Sequence, residues 1–130
     1  MAHPNEEILR KGYEAFNSGD MDAVRETFAD DIQWHVAGTT ELAGDYKGLD
    51  EVFQFFGKFI GMFDTPPQLE LHDVLANDEH AVALTKSKAS KGGKTRESTA
   101  VHVFHVKDGK ATEFWGHPFD AHGDDDFINS

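Results

Sequence analysis

The stretch from Tyr13 to Val36, YEAFNSGDMDAVRETFADDIQWHV, constrains the fold most. It packs a helix, a stop, a second helix and a strand into a short span. Gly19 can take the left-handed conformation that ends a helix. Asp20 follows as an N-cap whose carboxylate accepts from free N–H groups in the next turn. The chain turns polar at Ala29, Asp30 and Asp31. It then alternates through Ile32, Trp34 and Val36, with Gln33 and His35 opposite, which is strand periodicity with one buried face. Two helices feeding a strand with an inward tryptophan predict helices closing one side of a curved sheet.

The flanking segments extend this pattern. Asn5 is expected to cap a first helix whose apolar positions are Ile8, Leu9, Tyr13 and Phe16, with Glu6 and Glu7 favourable in its first turn. Gly12 lies mid-helix, where it allows close packing or leaves space. A second helix is expected near Asp20–Phe28, and a loop over Ala37–Lys47. A third helix carries Leu49, Val52, Phe53, Phe56, Phe59, Ile60 and Phe63 at helical spacing, and Pro66-Pro67 ends it. From Leu69 onward, four strands alternate with turn signals at Asn77-Asp78, Gly92-Gly93 and Asp108-Gly109, and the last strand stops at Pro118. Helices segregated to one side of an antiparallel sheet define an α+β fold. The expectation is a single domain over residues 1–130, with a core at about 5–120 and residues 121–130 as a loose tail.

Composition narrows the partners. A net charge of −12 repels phosphate and argues against nucleic acid. No apolar run approaches the ~20 residues that span a bilayer, so no membrane partner is expected. The N-terminus lacks a signal pattern, which makes the cytoplasm the default compartment. Without cysteine there is no thiolate catalysis. Lys86, Lys88, Lys91, Lys94 and Arg96 concentrate positive charge around Gly92-Gly93. The reading favoured there is an edge hairpin defended by lysine, over an anion-binding site.

The eight histidines invite a metal reading. However, His102 and His105 are three apart in a strand, point to opposite faces and cannot share an ion. No metal site and no cofactor are assigned. His102 shares a strand face with Ser98, Ala100 and Phe104, a mixture that suits a pocket wall with one polar group. A buried histidine satisfied by a neighbour fits that position equally well. His117, Asp120 and His122 cluster after the last strand.

The segments AFNSGD, FADDIQWHV, YKGLDEVFQFF and VHVFHVKDGKATEFW, in this order, resemble the nuclear transport factor 2-like superfamily, and within it the SnoaL-like branch related to ketosteroid isomerases. The resemblance implies a cone-shaped, cystatin-like α+β fold, an apolar pocket between helices and sheet, and dimerisation through the outer sheet face. Ketosteroid isomerases need a carboxylate base on the first strand, and a tyrosine plus a protonated aspartate for the oxyanion. Those positions fall here on Val36, on Gly12 and near His102, and a supporting tyrosine falls on Phe56, so the standard mechanism is rejected. The Arg-x-Asp segment of limonene-epoxide-hydrolase-like members is Arg96-Glu97-Ser98 here. For SnoaL-like cyclases, the nearest match to the acidic base is Asp120.

The resulting expectation is a cytoplasmic homodimer whose pocket binds a small apolar molecule. Trp34, Val36, Phe53, Phe56, Phe104 and Phe114 are the pocket residues. His102 is the proton carrier or oxyanion donor and Asp120 the base, for cofactor-independent isomerase- or cyclase-type acid–base chemistry on a carbonyl compound. The alternative is a ligand-binding dimer without catalysis, in which His102 only orients the ligand. A second polar group facing His102 discriminates between them.

Overall fold

A computed structural model describes residues 3–130. The helices α1 (Pro4–Ser18) and α2 (Met21–Glu26) lead into β1 (Phe28–Val36), β2 (Gly44–Lys47) and α3 (Gly48–Gly61). The strands β3 (Gln68–Ala76), β4 (His80–Lys91), β5 (Lys94–Lys107) and β6 (Lys110–Pro118) follow, then α4 (Ala121–Asn129). The six strands form one sheet in the order β2-β1-β6-β5-β4-β3. Neighbours are antiparallel except β1 and β6, which run parallel. Register shifts interrupt the β1–β6, β3–β4 and β5–β6 ladders. Such shifts bend the strands and strengthen their twist, so the sheet curls around the helices.

The helix punctuation follows the expected chemistry with one change. Gly19 ends α1 at φ 79°, and Asp20 caps α2 by accepting from the Ala23 N–H at 3.1 Å. The cap of α1 is His3 rather than Asn5: its Nδ1 accepts from the Asn5 N–H at 3.1 Å. Pro4 occupies the first turn, where its missing N–H costs nothing. Asn5 is instead buried, and its side-chain amide donates to the carbonyls of Asn77 (2.9 Å) and Asp78 (3.2 Å). It thereby ties α1 to the β3–β4 turn.

Two elements depart from the sequence expectation. Part of the expected loop, Gly44–Lys47, is β2, which pairs antiparallel with β1 from Gln33↔Lys47 to Val36↔Gly44. Too short to show periodicity, it exists through that pairing. The expected loose tail contains α4, capped by Asp120, whose Oδ1 accepts from the Gly123 N–H at 3.0 Å.

The core lies between the concave sheet face and α1–α3. Ile32, Val52, Ala81 and Ala83 are fully enclosed, with Trp34, Phe56, Phe104 and Phe114 nearly so. In α3 the buried face is Val52, Phe55 and Phe56, so it is rotated toward β2, where Phe55 meets Tyr46 at 4.9 Å. No helix among the described residues is long and apolar enough to cross a membrane.

Asn5→Ala should leave two turn carbonyls without a protein donor and lower stability by about 1–2 kcal/mol. Chemical denaturation read by tryptophan fluorescence checks this. An unchanged midpoint would mean that water replaces the amide freely.

Candidate functional site

A cavity of about 280 Å³ lies between α1, α3 and the concave sheet face. Its walls are mostly apolar. Trp34 projects inward from β1 and stacks on its register partner Phe114 of β6, with ring centroids 3.7 Å apart and planes 14° from parallel. Phe56 meets Trp34 edge-on at 5.1 Å, and Phe104 meets Phe114 at 5.2 Å. Aromatic pairs of this kind are each worth about 0.5–1.5 kcal/mol beyond their buried area.

One polar pair interrupts this wall. His102 reaches in from β5, opposite Ala83 on one side and Gly116 on the other. A Cβ at position 116 would lie 3.2 Å from Phe114 Cζ and 3.8 Å from His102 Cδ2, so glycine there gives the Phe114 ring its space. Tyr13, from the inner face of α1, hydrogen-bonds through its hydroxyl to His102 Nδ1. The two rings lie nearly parallel at 5.9 Å, and both line the cavity. Burial lowers the His102 pKa to about 4, and His117 adds to the effect. Burial also raises the Tyr13 pKa above its ordinary value. At neutral pH both groups are therefore uncharged.

An uncharged pair has two arrangements. If Tyr13 donates to Nδ1, the Nε2–H of His102 is a free donor. If Nδ1–H donates to the Tyr13 oxygen, the phenol proton is free to donate and Nε2 becomes an acceptor. In both, the pair offers hydrogen-bonding capacity that a carbonyl or hydroxyl can use.

The structure sorts the sequence-derived site residues. Trp34, Val36, Phe56, His102, Phe104 and Phe114 line one cavity. Phe53 lies outside that lining: it packs on Phe28 and Phe56, and the Arg25 guanidinium sits 4.4 Å from its ring centre. Asp120 is likewise outside it. Exposed, it accepts from Arg96 Nη2 at 3.0 Å and caps α4. Those two contacts, the Gly123 N–H first and Arg96 second, hold its pKa below the ordinary range, which suits an ion-pair partner rather than a base. Tyr13 was absent from the sequence-derived set, although it belongs to the apolar spacing of α1. The signal available for it is a phenol on a core-facing helix position, since a buried hydroxyl needs a partner.

Further polar side chains line the cavity, among them Thr27, Thr40, Thr85 and Ser87. His117, Asp124 and Asp125 lie along one end of the cavity. On the convex face, His35 bridges two carboxylates, with Nδ1 2.6 Å from Asp45 and Nε2 2.7 Å from Glu113. These contacts raise its pKa. Among the described residues, no group of three His, Asp or Glu side chains is arranged to hold a metal ion.

Comparison with known proteins bears on this geometry. The family model of the SnoaL-like domain matches residues 9–114. The uncharacterized proteins Rv0034 of Mycobacterium tuberculosis and Mb0035 of Mycobacterium bovis are each 30% identical over 116 residues, covering 86% of this chain and 88% of theirs. Bal32a, from a soil-derived mobile gene cassette, superposes with a TM-score of 0.91 at 33% identity, covering 96% of both chains. An NTF2-like protein of unknown function from Burkholderia pseudomallei gives 0.88 at 26% identity, over 99% of this chain and 100% of that one. A Xanthomonas campestris protein with a cystatin-like fold also gives 0.88, at 20% identity, with 95% and 97% covered.

The pKa of His102 has a stability consequence. The folded value of about 4 lies below the unfolded value of ~6.5. The unfolded chain therefore binds the proton first, and this contribution is complete above pH ~6.5 and lost as pH falls toward 4. His102→Phe should flatten the stability–pH curve in that window, by at most about 3 kcal/mol across it. Urea unfolding of both proteins at a series of pH values measures the difference; parallel curves would show that His102 is not held neutral.

Proposed function

The chain belongs to the SnoaL-like domain family, and we propose that it binds a small, mostly apolar carbonyl compound in its cavity and rearranges it by cofactor-independent acid–base chemistry. The observation that carries this reading is the uncharged Tyr13–His102 pair within an aromatic wall. With the phenol proton free, Tyr13 donates to the carbonyl oxygen and stabilises the charge that develops there. Nε2 of His102 takes a proton from the adjacent carbon and returns it elsewhere on the same molecule, as in an isomerisation or cyclisation. A pKa of about 4 makes His102 a weak base. That suits substrates whose C–H is already acidic, such as those flanked by two carbonyl groups. IdmH of Streptomyces antibioticus, described as a candidate polyketide cyclase, shares the fold at a TM-score of 0.74 and 20% identity, over 91% of this chain and 94% of its own. That likeness is one of fold.

A second reading, ligand binding without turnover, is favoured by Val36. By the sequence resemblance it falls at the strand position of the isomerase carboxylate base, and it lines the cavity as an apolar residue. Native mass spectrometry of the purified protein should capture a bound molecule. Tyr13→Phe and His102→Phe should each weaken its binding about tenfold, the value of one buried hydrogen bond. Loss of conversion in the same variants supports catalysis, whereas loss of affinity without any conversion by the wild type leaves binding alone. Unchanged affinity and conversion in both folded variants would overturn both readings.

We further propose a homodimer formed through the convex sheet face. Val82, Leu84, Val101, Val103 and Trp115 are adjacent there across β4, β5 and β6. Such a contiguous, half-exposed apolar set on one sheet face is the kind of patch that marks an interaction surface. Light scattering should give twice 14.5 kDa; the monomer mass at high micromolar concentration would refute it.

A further inference from the structure

The helix α4 buries none of its residues, yet Asp124, Asp125 and Ile128 line the cavity. It crosses the end where β1 and β6 finish, beside Val36, Ala37, His117 and Pro118. Its attachments are almost all polar. Arg96 on β5 donates from Nε to Asp124 at 2.7 Å and from Nη2 to Asp120 at 3.0 Å. Ser98 donates to the same Asp124 oxygen at 2.7 Å. The Thr39 N–H and hydroxyl both donate to Asp125 at 3.0 Å. Lys91 reaches the Ile128 and Ser130 carbonyls, and Phe127 lies against Phe63 at 6.4 Å. Thus two of the five clustered cations face α4 rather than solvent alone.

We infer that α4 is a lid over the cavity and that Arg96 is its latch, releasing the helix to admit and discharge ligand. The physical basis is the kind of attachment. The Arg96–Asp120 ion pair, whose carboxylate is 66% exposed, is of the individually weak surface kind. Only two apolar side chains, the partly buried Phe127 and Ile128, hold the helix once the polar contacts part. Segments of this description open locally at much lower cost than the sheet beneath them. The latch also has a visible fit. A Cβ at Gly123 would lie 2.3 Å from Asp120 Oδ2 and 2.4 Å from Arg96 Nη2. The guanidinium therefore closes onto the first turn of α4 only because residue 123 has no side chain.

Gly123 separates a latched lid from a merely frayed helix. Alanine favours an isolated helix over glycine by ~1 kcal/mol, so Gly123→Ala slows opening if helix propensity governs it. If the latch governs, the displaced Arg96–Asp120 pair makes opening faster. Arg96→Met removes the latch directly and leaves Asp120 and Asp124 facing each other without a cation. Hydrogen exchange of residues 121–129, measured without ligand, should accelerate about tenfold in both variants while β4 and β5 keep their protection. Stopped-flow binding of 2-naphthol, read by quenching of Trp34, should show association and dissociation rates rising together. Should Arg96→Met not fold, Ser98→Ala replaces it with a smaller rise. Slower exchange in Gly123→Ala, or wild-type α4 amides as protected as those of β5, would overturn the lid. The inference rests on the cavity being a ligand site. Because hydrogen exchange uses no ligand, it tests the lid even where 2-naphthol fails to bind.

Discussion

The parallel pairing of β1 with β6 is the constraint on which the rest depends. It joins the strand arriving from the N-terminal helices to the last strand of the meander, and it sets Trp34 opposite Phe114 with their rings stacked. Phe56 of α3 closes on Trp34 edge-on. One register thus fixes the sheet, the third helix and the aromatic wall of the cavity together. The irregularity between Phe28 and Gln33 bends β1 so that its inner face follows the curl.

Within this frame the polar pair has a definite cost. Removing a histidine and a tyrosine from water is unfavourable unless each finds a partner. Here each supplies the other's. The pairing fixes both rings and leaves no buried side-chain polar atom among the described residues without a partner.

The fold was largely legible in the sequence, because periodicity and turn chemistry are local. The breaks at Asn77, Gly92 and Asp108 bound the strands observed, and Gly19-Asp20 separates the first two helices as expected. The misreadings share one origin: they concern elements held by tertiary contact. β2 has no pattern of its own, and failing to see it meant misjudging the buried face of α3. Phe53 fits the ideal stripe, but the added strand turns Phe55 inward onto Tyr46, leaving Phe53 beneath Arg25. Likewise Gly123-Asp124-Asp125-Asp126 looks like a solvated tail until Arg96, Ser98 and Thr39 are seen to face it. His102 could be picked out because its strand neighbours are apolar, whereas Tyr13 lay hidden among apolar helix positions that it matches in size and spacing.

The position of the polar pair also bears on what chemistry the cavity can hold. A carboxylate on β1 would stand on the aromatic wall and, as a charged group, draw water in with it. With Val36 in that place the wall stays apolar around the buried pair from α1 and β5, while His117, Asp124 and Asp125 lie along one end of the cavity. Proton transfer within such a cavity has to begin and end with groups that are neutral at rest. A phenol and an imidazole satisfy that condition, since one can donate while the other accepts and no net charge is buried before a ligand is present. The cations and carboxylates of this end of the molecule are instead placed at the rim, on β5 and α4, where water can still solvate them. The uncharged pair is thus set among aromatic rings, while the charged groups gather where the cavity meets α4.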